Sequence, residues 1–174
     1  MTWMRKEVLL VSFFCMLATR LAAQKQNEDL TAIDFTARTV DGKKIQLKKL
    51  LEKGPVLLDF WALWCVPCLK ELPQFQKLHN KYRKRGLAVV AINEDSPNDQ
   101  AKVKMYIKQK RLRFIVIVDE DRTLWRRFKI VALPSSFLID RDGQIVYTHT
   151  GYKPGDVQHF YKKIEALFNS GKKH

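Results

Sequence analysis

Residues 55–68 read Pro55-Val56-Leu57-Leu58-Asp59-Phe60-Trp61-Ala62-Leu63-Trp64-Cys65-Val66-Pro67-Cys68. The first seven form an apolar run of strand length, which predicts a buried central strand with one carboxyl group, Asp59, on it. From Pro67 to Lys84 the spacing turns helical, with Leu72, Phe75, Leu78, His79 and Tyr82 recurring on one side. Cys65 therefore falls where a strand ends and a helix begins. Unpaired backbone N–H groups and the helix dipole favour negative charge at that position, so a Cys65 thiolate is stabilised there. The thiolate is the reactive form of cysteine. Cys68 lies about one turn further on, within reach of the first sulfur and on the less exposed side. Such a pair supports exchange chemistry: Cys65 attacks a partner disulfide, and Cys68 resolves the mixed disulfide.

Upstream of this stretch, Ile33–Val40 and Lys43–Leu47 flank Asp41-Gly42 and predict a hairpin, with Gly supplying positive φ in a two-residue turn. Downstream, Pro73 should kink the helix and Gly86 should stop it. Strands are expected at Leu87–Asn93, Phe114–Val118, Ser135–Asp140 and Gln144–Thr150, the last two joined by Asp142-Gly143. A helix capped by Ser96, with Pro97 in its first turn, should run to about Lys110. A short helix is expected at Thr123–Phe128. A last helix should open at Pro154, with Phe160, Ile164, Leu167 and Phe168 facing inward. The alternation of strands and helices in the middle requires parallel strands with right-handed crossovers. The whole reads as one α/β domain over 33–170: a central mixed sheet flanked by helices, with an N-terminal β-hairpin extension.

The chain has 174 residues, 46% of them hydrophobic and 29% charged, which suits one globular domain and excludes a disordered or collagen-like chain. Arg5 and Lys6 precede the uncharged run Val8–Ala18. That run is too short to cross a hydrocarbon core of ~30 Å but fits a secretory signal peptide. Residues 1–23 are expected to be removed after Ala23, an uncleaved membrane anchor being the alternative. Residues 24–32 would then form a flexible segment and residues 171–174 a frayed tail. Cys15 leaves with the signal, so Cys65 and Cys68 remain as a lone close pair, which is not a disulfide framework.

The segment DFWALWCVPC resembles the thioredoxin active site, and the wider pattern is similar to the exported TlpA/ResA-type thiol–disulfide oxidoreductases. The shared features are the hairpin with Asp41-Gly42, WCVPC followed by Leu69-Lys70-Glu71-Leu72-Pro73, then LPSSFLID over 133–140, the Asp142-Gly143 turn and Gly151. The resemblance covers roughly Ile33 to Phe168 and implies a thioredoxin fold. It makes Cys65 the attacking cysteine, Cys68 the resolving cysteine, and Pro134 a cis-proline facing the disulfide and presenting backbone groups to the partner. Glu71 matches the active-site glutamate of the ResA-like branch, and Asp59 the buried aspartate of ordinary thioredoxins. Either acid, raised by burial, could take the Cys68 proton. Asp59 is expected to be the more deeply buried and Glu71 partly exposed. Trp61 is expected in the core. Trp64, Val66, Pro67 and Leu133 should line the rim that meets the partner. Pro67 and the family pattern favour a reductant over an oxidant. The resemblance also implies a membrane-embedded thiol electron donor, disulfide-containing exported client proteins such as apocytochrome c, a periplasmic location, a monomer, and no cofactor beyond the redox-active disulfide.

Other readings are weaker on the residues. A zinc site lacks paired partners among His79, His149, His159 and His174. A peroxidase would require Thr or Ser at position 62, which is Ala. The net charge of +14 invites nucleic acid, but no stacking aromatics are interleaved with the basic clusters. Lys104, Lys108 and Arg111 are expected on one solvated helix face. The two functional rivals are a disulfide-donating oxidase on the same fold, and a non-catalytic interaction module that would survive loss of Cys65.

Overall fold

The computed structural model describes residues 31–170. The expected leader, all but the end of the expected flexible segment, and the tail lie outside the described residues. The described chain from Ala32 onward belongs to one compact unit.

Strand β1 (Thr36–Arg38) pairs antiparallel with β2 (Lys44–Gln46). Helix α1 (Leu47–Leu51) follows at once, then β3 (Val56–Trp61), α2 (Val66–Tyr82), β4 (Ala88–Asn93), α3 (Gln100–Gln109), β5 (Ile115–Val118), α4 (Thr123–Arg127), β6 (Ser135–Ile139), β7 (Ile145–Thr150) and α5 (Val157–Ser170). The main sheet has five strands in the order β5-β4-β3-β6-β7. Its β3–β4 and β4–β5 pairs are parallel, and β3–β6 and β6–β7 are antiparallel. This is the mixed sheet the sequence predicts, with the parallel crossovers on one side of β3 and the hairpin on the other.

β3 is central and buried along its whole length, which is why its sequence shows no alternation. Its side chains still divide between two faces. Leu57 and Trp61 pack with Leu72, Phe75 and Leu78 of α2 and Phe160 and Ile164 of α5. Val56, Leu58 and Phe60 pack with Phe35, Leu47, Leu51, Leu124 and Ile130. Phe75 meets Phe160 edge-on at 5.1 Å, both fully buried. Truncating either ring to Ala would cost about 3–5 kcal/mol.

Several local expectations change. The hairpin loop is Val40-Asp41-Gly42, closed by a Thr39–Lys43 pair, and only Gly42 has positive φ (81°). It is a type I turn followed by a left-handed residue, not a two-residue turn. Leu47 leaves the strand and starts α1, a helix too short for periodicity to reveal. Ser96 and Pro97 open a 3-10 turn (Pro97–Asp99) ahead of α3. Arg111 lies past the end of α3 with φ 53°, so it does not extend the Lys104–Lys108 face. α5 starts at Val157, after a turn that contains Pro154.

Helix α2 starts at Val66, one residue early, and runs unbroken through Pro73. A proline there cannot bond the carbonyl four residues back, that of Leu69. The Tyr106 hydroxyl of α3 donates to that carbonyl instead, at 3.4 Å. Beyond Tyr82 and a 3-10 turn, Gly86 ends the element with φ 103°. A side chain at Gly54 would lie 2.5 Å from the Gly86 carbonyl oxygen, so the chain segments entering β3 and β4 touch backbone to backbone.

Candidate active site

β3 delivers its last residue, Trp61, to a short loop that turns into α2. Cys65 N–H donates to Ala62 O at 3.1 Å, which folds the loop back on itself. Leu63 N–H donates to Asp95 Oδ2 at 2.8 Å, and Asn93 Nδ2 donates to the same oxygen at 2.7 Å. The loop is thus held by a carboxylate just past the end of the neighbouring parallel strand. Sequence reasoning missed Asp95, because the contact spans 32 positions and depends on β4 lying beside β3.

Cys65 is the N-cap of α2, with extended φ/ψ, and its Sγ accepts the Cys68 N–H at 3.3 Å. The two cysteines are joined in a disulfide with Cα atoms 5.3 Å apart. Cys65 keeps 5% of its surface exposed and Cys68 none, so only the first sulfur is open to a partner. In the reduced form, the Cys68 amide and the Val66 N–H at the start of α2 would face a Cys65 thiolate, Pro67 having no N–H to offer.

The peptide bond Leu133–Pro134 is cis, as the resemblance implies. Phe60 pairs with Ser135 across β3 and β6, so Pro134 stands beside the end of β3, where the cysteines emerge. Its carbonyl accepts Gly151 N–H at 2.8 Å, and Ser135 Oγ donates to Ala132 O at 2.7 Å. Leu133 is half-buried against the core cluster that contains both cysteines. Trp64 is 63% exposed, Val66 60% and Val131 88%, while Trp61 is fully buried. Trp64 and Val66 are therefore apolar side chains in water next to the disulfide. Val131 adds an exposed apolar residue to the loop that ends at Pro134.

Behind the disulfide sit two acids. Asp59 is fully buried. Its Oδ1 accepts the Ser136 hydroxyl at 3.2 Å, and its Oδ2 has no partner. Burial pushes its pKa well above the usual carboxylate range, with the Ser136 bond partly opposing. Glu71, expected to be partly exposed, is only 2% exposed. It falls three residues after Cys68, on the helix side that faces the sheet. Its Oε2 also lacks a partner. Burial first, then the charges of Asp59 and Asp156, push its pKa up to about 10. Both acids favour their neutral form, and the charge of Asp59 adds to the proton affinity of Glu71. A group that holds a proton in this apolar space can protonate a Cys68 thiolate as the disulfide opens. It can take the proton back as the disulfide closes.

A second acidic cluster lies past the ends of β4 and β5. Asp119 caps α4 by accepting Leu124 and Trp125 N–H at 3.0 and 2.8 Å. Glu94 is 3% exposed with neither carboxyl oxygen partnered, and burial together with Asp119 pushes its pKa up to about 8. Among the described residues, no group of three or more His, Cys, Asp or Glu is arranged to hold a metal ion.

Comparison with known proteins agrees with this geometry. The model of the AhpC/TSA family matches residues 29–148. The chain is 36% identical to the thiol-disulfide oxidoreductase ResA of Bacillus thuringiensis subsp. konkukian over 134 residues, 76% of each protein. It is 31% identical to ResA of Bacillus subtilis over 138 residues, 79% of this chain and 75% of that one. Among solved structures, a thiol:disulfide interchange protein of the thioredoxin family from Chlorobium tepidum superposes with TM-score 0.68 at 26% identity, covering 79% of this chain and 95% of that one. StoA from Bacillus subtilis superposes with TM-score 0.63 at 28% identity, covering 76% and 98%.

Proposed function

Because the chain belongs to the AhpC/TSA family and is a thiol–disulfide oxidoreductase like its ResA-named relatives, we propose that it works outside the cytoplasm as a reductant of client-protein disulfides. The observation that carries this reading is Cys65 at the N-cap of α2, with the Cys68 amide on its sulfur. That arrangement stabilises a nucleophilic thiolate while Cys68 waits behind it.

In the proposed cycle the Cys65 thiolate attacks a client disulfide, forms a mixed disulfide and releases one client thiolate, which takes a proton from water. Cys68 then gives its proton to whichever member of the Asp59–Glu71 pair is ionised and attacks Cys65 Sγ. The enzyme disulfide forms, the mixed disulfide breaks, and the second client sulfur leaves and is protonated. Two electrons pass from the cysteine pair to the client. The client backbone would lie against the Leu133–Pro134 turn. Trp64, Val66, Pro67 and Leu133 would take its apolar side chains. No further cofactor is required.

Export is supported by Arg5 and Lys6 followed by the apolar run Val8–Ala18. No helix of the described residues is long and apolar enough to cross a membrane. A reductant in an oxidising compartment has to be recharged, so a membrane-embedded dithiol donor belongs to the proposal. Exported proteins with disulfides, apocytochrome c among them, are the client class, and the working unit is a monomer.

The test is the equilibrium reduction potential of Cys65–Cys68, titrated against a dithiol buffer. A value near or below about −220 mV is expected. A value toward about −120 mV would make the protein a disulfide donor instead. Failure to form a reversible disulfide would leave only a binding scaffold. Cys68→Ser should trap clients as mixed disulfides on Cys65, recoverable by non-reducing electrophoresis, and Cys65→Ser should trap none.

A further inference from the structure

The strand register places three polar residues in one row. Asp59 on β3 stands opposite Ser136 on β6, and Ser136 stands opposite His149 on β7. Residues directly opposite each other share a face of the sheet, here the face covered by α2 and α5. The row ends at the β7 edge, where His149 Nε2 lies 3.0 Å from Asp156 Oδ2. The same oxygen accepts the Lys153 N–H at 2.6 Å, which fixes the carboxylate in the turn before α5. The two side chains keep 21% and 18% of their surface in solvent. This pair is the point where the buried polar row meets water.

Aromatic side chains cover this row from the α5 side. Phe160 of α5 packs edge-on against His149 at 6.0 Å, Tyr147 at 5.1 Å and Phe75 of α2 at 5.1 Å. Beside these rings, a charge on Asp156 is screened less than one at an open surface. Two groups register that charge: Glu71 and Tyr147 both bind their protons more tightly because of it. Of the titratable groups on the elements around the pair, Tyr147 of β7 stacks on His149 at 6.3 Å, while Glu71 of α2 and Asp59 of β3 lie further in. α5 presents the uncharged Phe160, and Lys153 contributes its backbone.

We propose that Asp156, held by His149 at the outer end of the row that runs through Ser136 to Asp59, is a positioning residue for proton transfer at the disulfide, acting on the buried acids Asp59 and Glu71 that would accept the Cys68 proton. This rests on the thiol–disulfide reading above. A negative charge at Asp156 keeps the proton on Glu71, so that the acid is loaded when the disulfide opens.

The test uses the reduced protein and Ellman's reagent. Attack by Cys65 forms a mixed disulfide and releases one thionitrobenzoate. Attack by Cys68 then releases the second, and stopped-flow absorbance follows that step as a function of pH. Asp156→Asn keeps an acceptor for Lys153 and removes the charge. Its profile should move to lower pH by about one unit. Asp156→Glu should keep the wild-type profile. His149→Gln retains a donor to Asp156 and should also keep it. His149→Leu frees the carboxylate into water and should move the profile in the same direction as Asp156→Asn, but less. An Asp156→Asn profile that stays in place or moves to higher pH overturns the proposal, as does a His149→Leu shift to higher pH. A wild-type protein that releases only the first thionitrobenzoate overturns the exchange mechanism and this proposal with it.

Discussion

Ser136 donates its hydroxyl to Asp59 Oδ1 at 3.2 Å from the position directly opposite on the neighbouring strand, leaving Oδ2 fully buried and unpartnered. The acid behind the disulfide is therefore half-satisfied. Its one hydrogen bond favours the ionised form, while its burial favours the neutral form.

Ser136→Ala should consequently make Asp59 hold its proton more tightly. A hydrogen bond contributes about 1 kcal/mol and one pH unit corresponds to about 1.4 kcal/mol, so the onset of Cys68 attack should rise by roughly half to one unit. The stopped-flow profile described above measures it. A shift to lower pH would mean that Ser136 does not act on Asp59.

Glu94 offers a stability measurement away from the sulfurs. Its folded-state pKa is raised from 4.5 to about 8, mainly by burial and then by Asp119. The folded chain thus binds its proton more tightly than the unfolded chain. Its favourable contribution is complete below pH 4.5 and is lost as pH rises through about 8. Glu94→Gln should flatten the decline of unfolding free energy across that window, gaining on the order of 1–3 kcal/mol relative to wild type at the alkaline end. Urea titrations at the two ends of the window check it. An unchanged slope would place Glu94 in water.

Asp95 holds the loop before Cys65 through Leu63 N–H and is itself held by Asn93. Asp95→Ala should release the loop. Loss of about 1–3 kcal/mol of hydrogen bonding corresponds to roughly 10- to 100-fold faster amide exchange at Leu63. Wild-type protection at Leu63 would show that the turn bond from Cys65 to Ala62 suffices.

Trp64 sits beside the reactive sulfur with 63% of its surface exposed, a large apolar side chain with no core role. Trp64→Ala should raise KM for a disulfide-containing protein client by about tenfold, as removing an aromatic anchor does, with the reduction potential unchanged. A changed potential with KM intact would assign Trp64 to the redox chemistry instead.

The parts of this molecule that are local in sequence were legible there. β3 is apolar over its length because it is buried on both faces. Cys65 and Cys68 declare themselves by lying at a strand-to-helix junction. Their neighbours across the sheet did not declare themselves. Ser136 is an ordinary strand serine until β6 is registered against β3. His149 and Asp156 belong to the site only because β7 is registered against β6. Glu71 looked like a partly exposed helix residue because its burial depends on the angle at which α2 crosses the sheet. Leu47 passed for the end of a strand and Lys48–Leu51 for no element at all, because five residues do not complete a periodic pattern.

The hairpin at the N-terminal side of the domain bears on how this chain behaves among its own copies. β5, Ile115-Val116-Ile117-Val118, is the edge strand with the stronger tendency to add another strand, being all β-branched and uncharged. Val40 N–H donates to Val116 O at 2.9 Å, and Thr39 bridges Ile117, so that edge is already occupied from within. The opposite edge, β7, carries Tyr147, Thr148, His149 and Thr150 and a register irregularity near Leu138–Ile139, which makes it a poor template. A domain that exposes Trp64, Val66 and Val131 to water thus closes the β5 edge of its sheet to a second copy.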